Sequence, residues 1–89
     1  MPLVEFTPNL ARQTKADACR VDGVTVAQAL GAVFAKTPTL RGYVLDEQGE
    51  LRTHVVIFVD GTAIKDRRHL TDALRPDSEV FVMQALSGG

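Results

Sequence analysis

The sequence predicts an α+β domain in which one main helix lies across one face of a mixed sheet. Three observations carry this reading. Residues 25–36 join a capping signal to an apolar stripe of helical period. Short β-branched runs at 3–6, 18–21, 54–59 and 79–83 have the length or the alternation of strands. The pair Asp60-Gly61 between apolar runs is the signature of a tight hairpin.

In Leu3-Val4-Glu5-Phe6, alternation sends Val4 and Phe6 to one face and Glu5 to the other. Pro8 stops this run, and the segment holding Pro8, Asn9, Gln13 and Thr14 reads as a turn. Ala18-Cys19-Arg20-Val21 is then the return strand of a first hairpin, closed by Asp22-Gly23. Thr25-Val26-Ala27-Gln28 matches the capping box, in which Thr25 and Gln28 satisfy free N–H groups reciprocally. Val26, Ala29, Leu30, Val33 and Phe34 follow as one core-facing stripe. Gly31 costs this helix about 1 kcal/mol against alanine, so the stripe must hold it. Pro38 disfavours helical geometry at Thr37 and ends the helix near Lys36.

Tyr43-Val44-Leu45 reads as a short strand and Asp46-Glu47-Gln48-Gly49-Glu50 as a polar turn. His54-Val55-Val56-Ile57-Phe58-Val59 is almost continuously apolar, the pattern of a central strand covered on parts of both faces. Thr62-Ala63-Ile64 returns after the hairpin. Lys65 to His69 is a charged loop, and Leu70, Ala73 and Leu74 suggest a turn of helix before Pro76. Glu79-Val80-Phe81-Val82-Met83 is the last strand. Residues 1–86 are read as one domain and 87–89 as a flexible Ser-Gly-Gly tail.

The composition narrows the function class. The chain has 89 residues, room for a single core. A formal net charge of −1 gives no overall pull toward nucleic acid or an anionic membrane. No apolar run approaches the ~20 residues that span a bilayer, and the start lacks the basic and apolar regions of a signal peptide. One cysteine, Cys19, rules out an internal disulfide and fits a reducing cytoplasm. Cys19, His54 and His69 match no zinc spacing, so no metal site is expected. Lys65, Arg67 and Arg68 are interrupted by Asp66 and lack an interleaved aromatic, which argues against nucleic-acid binding. No catalytic constellation is present. The chain reads as a non-enzyme that binds no cofactor of its own.

The end of the chain carries the chemistry. Without Cβ atoms, Gly88 and Gly89 can thread a narrow slot and deliver a bare carboxylate into another protein's active site. Strand parity puts Val80 and Val82 on one face, and Phe81 and Met83 on the other. If the valines meet the helix, Phe81 and Met83 sit on the open face. With Leu86 and Ser87 they then form a docking patch that leads to the tail.

Val59-Asp60-Gly61, Asp77-Ser78-Glu79-Val80 and Leu86-Ser87-Gly88-Gly89, in a strand-rich chain with a central helix, resemble the ThiS/MoaD family of ubiquitin-like (β-grasp) sulfur carrier proteins. The stretch 52–59 is similar to longer members, including those that serve cysteine biosynthesis. The resemblance implies that an ATP-dependent activating enzyme of the ubiquitin-activating type adenylates the Gly89 carboxylate. A sulfur donor protein or sulfide then displaces AMP to leave a thiocarboxylate, and a sulfur-acceptor biosynthetic enzyme receives the sulfur. The activation has a physical reason: a carboxylate is a poor electrophile, and its adenylate must be shielded from water by a partner's site. Two rival readings stand beside this one. The first is a ubiquitin-like modifier joined through Gly89 to lysines. The second is a β-grasp interaction module with no C-terminal chemistry. Molybdopterin, thiamin, cysteine and tRNA thiolation remain open as destinations of the sulfur.

Overall fold

A computed structural model of the chain describes residues 1–84. In chain order its elements are β1 (Leu3–Phe6), α1 (Pro8–Thr14), β2 (Cys19–Arg20), α2 (Val26–Lys36), α3 (Thr39–Val44), β3 (Val55–Val59), β4 (Thr62–Ala63) and β5 (Glu79–Gln84). The strands form one mixed sheet in the order β2-β1-β5-β3-β4. β1 and β5 run parallel, with Leu3 beside Glu79 and Phe6 beside Val82, and the other neighbouring strands are antiparallel. With α2 laid across one face, this is the β-grasp arrangement expected from the sequence.

Alternation builds the core. Val4, Val80, Val82, Val55 and Ile57 are fully buried on one sheet face. They meet Val26, Ala29, Leu30 and Val33 of α2, Leu10 of α1, and Leu40 and Val44 of α3 in a single apolar cluster. Fully burying each of these valine, leucine and isoleucine side chains contributes about 1.5–3 kcal/mol. Gly23 lies against the start of α2, where a Cβ would come within 2.8 Å of the Ala29 nitrogen.

The entry to α2 has every free donor of its first turn satisfied. The Gln28 N–H donates to Thr25 Oγ1 at 3.2 Å, and Gln28 Oε1 accepts the Val24 N–H at 2.9 Å. The reciprocal bond therefore reaches one residue further back than a standard capping box. The Val26 and Ala27 N–H groups donate to the carbonyls of Asp72 and Leu70. A distant loop thus caps the helix in place of water.

Four expectations need correction. The segment after Pro8 is helix, not turn: Pro8 occupies the first helical position, and Leu10 and Thr14, four apart, are buried. β1 and β2 do pair antiparallel, but across that helix. Tyr43-Val44-Leu45 is not a strand. It ends α3, whose Leu40 and Val44 point inward while Tyr43 is exposed. Leu70, Ala73 and Leu74 form no helical turn, because Leu70 takes a left-handed φ of 56° and the segment spends its backbone groups on α2 and Val24. Finally, the apolar run of β3 does not mark the central strand. That place belongs to β5, and β3 lies between β5 and the two-residue β4.

Candidate functional site

The sheet face turned away from the helices is apolar at its middle. On β5, Phe81 and Met83 are half-buried there, while Val80 and Val82 of the same strand are 0% exposed on the core side. On β3, Val56 and Phe58 take the same outward parity, alternating with buried Val55 and Ile57. The register sets Val56 opposite Met83 and Phe58 opposite Phe81, and Glu5 of β1 lies beside Phe81. Phe81 and Met83 therefore lie where strand parity expects them. Val56 and Phe58 extend the patch onto β3, and the sequence reading missed them because an unbroken apolar run hides which of its residues face outward.

Beside Phe81 the face dips into a shallow open depression of about 570 Å³, lined by Glu5, Phe58, Asp60, Gly61, Glu79 and Phe81. Its rim is the β3–β4 hairpin. Asp60 and Gly61 both take positive φ, 51° and 85°, as a two-residue turn of the twisted kind requires. The Asp60 carboxylate accepts the Glu79 N–H at 2.9 Å and the Ser78 hydroxyl at 3.0 Å, with Arg75 Nη2 at 3.5 Å. These bonds hold its pKa below the ordinary carboxylate value, the Glu79 N–H first among them. Two motifs that are separate in sequence, Val59-Asp60-Gly61 and Asp77-Ser78-Glu79-Val80, thus meet as one hydrogen-bonded corner that fixes where β5 begins.

At the other end, β5 finishes at Gln84, opposite Val55, where the Thr7 N–H donates to the Val82 carbonyl at 3.1 Å. β5 has a neighbour on each side, β1 and β3. The remaining expected site residues, Leu86, Ser87, Gly88 and Gly89, lie outside the described residues, as does the domain boundary at 86.

The side chains set aside in the sequence reading do not converge. Cys19 is half-buried, paired with Val4 and packed against the core. Arg67 donates to the Arg52 carbonyl at 2.7 Å, and Arg68 lies 3.5 Å from Glu50. Among the described residues no three His, Cys, Asp or Glu side chains gather as a metal-holding group, and no helix is long and apolar enough to cross a membrane.

Comparison with known structures agrees with the topology. The small archaeal modifier protein SAMP1 of Haloferax volcanii is 27% identical with a TM-score of 0.84, over 99% of this chain and 98% of that one. CysO in the BexX/CysO complex of Amycolatopsis orientalis is 15% identical with a TM-score of 0.83, over the full length of both chains. Urm1 of Sulfolobus solfataricus is 18% identical with a TM-score of 0.69, over 93% and 99%. No curated protein gives a significant match to the sequence. The ThiS family model matches residues 10–89, diglycine included, and the chain belongs to the ThiS family.

Proposed function

We propose that the protein is a sulfur carrier whose Gly89 carboxylate is the working group. A partner enzyme adenylates that carboxylate with ATP. Sulfur from a donor protein or sulfide displaces AMP to form a thiocarboxylate, which passes its sulfur to an acceptor enzyme in cofactor, cysteine or related sulfur-metabolite biosynthesis. The observation that carries this reading is the Gly88-Gly89 pair that follows β5 in a chain of the ThiS family. The open face supports it: Phe81 and Met83 offer an apolar docking surface on the last strand before the diglycine in the sequence. The carrier is a substrate of its partners, needs no cofactor of its own, and works in the cytoplasm beside the ATP that its activation consumes. CysO, a neighbour in fold, is found in complex with BexX, which fits a protein that works by docking.

The test is intact mass after incubation with ATP, sulfide and each activating enzyme of the source organism. A gain equal to exchange of one oxygen for sulfur, lost on deletion of Gly89, is the expected result. No gain with any of those enzymes overturns the carrier reading. A second reading, conjugation through Gly89 to lysines of other proteins, is favoured by the likeness to a protein named as a modifier. Lysine-linked adducts in cells that vanish with the diglycine would establish it. An interaction module without tail chemistry would keep its function without Gly88 and Gly89 and lose it on Phe81→Asp.

A further inference from the structure

The depression beside Phe81 has a composition that a purely apolar docking patch does not need. Its floor is aromatic, Phe58 and Phe81 from adjacent strands, and its walls carry the carboxylates of Glu5, Glu79 and Asp60. Asp60 is engaged by Ser78, the Glu79 N–H and Arg75. Glu5 and Glu79 form no ion pair among the described residues, and residues 85–89 contain no basic side chain to reach them. The two flank Phe81 on one face, Glu5 directly beside it and Glu79 two residues before it on the same strand. Glu5 and Glu79 are diagonal neighbours across the β1–β5 pair, where long side chains can converge on one shared partner. The nearby cations are committed elsewhere: Arg75 lies against Asp60 and Asp77, and Arg20 donates to the Met1 carbonyl.

We infer that this depression receives a basic side chain, an arginine, from the docking surface of the partner protein that handles the tail. A planar guanidinium satisfies both features at once. It stacks on an aromatic ring while its edge donates to carboxylates on either side. A lysine offers a compact charge without the stacking plane, and an apolar side chain would leave two carboxylates desolvated and unpaired. The position suits a partner that also holds the tail, since eight residues from Phe81 to Gly89 reach at most ~29 Å when extended, within the span of one domain. This identity of the partner rests on the carrier reading. The charge chemistry of the depression does not.

The experiment compares the wild-type chain with the Glu5→Gln/Glu79→Gln double variant, which keeps shape and removes charge. Circular dichroism should show the variant folded and as heat-stable as wild type, because neither carboxylate has an ion pair to lose among the described residues. In Gly89-dependent pyrophosphate exchange by the activating enzyme, the variant should raise KM ~10-fold or more with kcat unchanged, and weaken the salt dependence of KM. A KM and salt dependence within twofold of wild type would overturn the inference. If wild type supports no exchange with any activating enzyme, the carrier reading fails, and amide NMR shifts decide this inference alone. The peptide Gly-Arg-Gly at low salt should shift Glu5, Phe58 to Gly61 and Glu79 to Phe81 in wild type but not in the double variant. Equal shifts from the citrulline peptide, or no localised shifts, overturn it. So does a wild-type dimer in sedimentation that the variant abolishes, which would make the occupant a second copy of this chain.

Discussion

Ser78 shows how one buried hydroxyl ties distant parts of this chain together. It is 1% exposed, accepts the Arg75 N–H at 2.8 Å and donates to Asp60 at 3.0 Å. Ser78→Ala removes both bonds and leaves the Arg75 N–H without its acceptor. The expected cost is about 1–3 kcal/mol, read as a lower urea midpoint at unchanged slope. Asp60 and Ser78 also show what the sequence could and could not disclose. Each sat in a motif that was legible, Asp60 as a hairpin residue and Ser78 in the approach to the last strand. Their bond spans 18 positions, and nothing local in either motif encodes it. The same holds at Glu5, which alternation sends to the face opposite Val4 and Phe6 but which only the register sets beside Phe81.

Among the elements, α2 was the most legible because its cap, stripe and stop all lie within residues 25–38. It also offers the cleanest pair of tests. Thr25→Ala deletes the acceptor for the Gln28 N–H and should cost about 0.5–2 kcal/mol. Gly31 is exposed, and an added Cβ would meet nothing within 4 Å, so Gly31→Ala should stabilise by about 0.5–1 kcal/mol. Equilibrium unfolding of both variants checks the two signs together. α1 and α3 were missed for one physical reason. Seven and six residues give less than two turns each, too few for a 3.6-residue period to stand out from a turn or a short apolar run. The remaining clue in α1, Pro8 at the first helical position, is also what stops a strand. The stretch between Lys65 and Leu74 defeated periodicity differently. Its fold is set by side chains bonding backbone: Asp66 accepts from the N–H groups of Arg68 and His69, and Asp72 from those of Lys65 and Asp66.

At the scale of the whole molecule, those carboxylates give stability a direction with pH. Asp66 is held down to about 2 from 3.8, first by the Thr71 hydroxyl and then by the His69 N–H. Asp72 is lowered chiefly by the Lys65 N–H, and Asp60 chiefly by the Glu79 N–H. Each group binds a proton more readily unfolded than folded. Its contribution is therefore complete above 3.8 and is lost as pH falls, for Asp66 through about 2. Thermal melts should be level from ~pH 7 to ~pH 5 and fall steeply below ~pH 4. Asp66→Asn should lower the melting temperature at neutral pH and flatten the acid limb. A decline beginning above ~pH 5 would assign the acid sensitivity to other groups.

The place of β5 between two neighbours has a mechanical meaning. An enzyme that grips the end of this chain and pulls does not peel an edge. It loads the parallel ladder to β1 and the antiparallel ladder to β3 along their length, so that all their hydrogen bonds share the force at once. Stretched between Met1 and its last residues, a single molecule should hold and then give way in one abrupt rupture, without stepwise unravelling. The body of the protein is in that sense a handle, stiff along the axis of its middle strand.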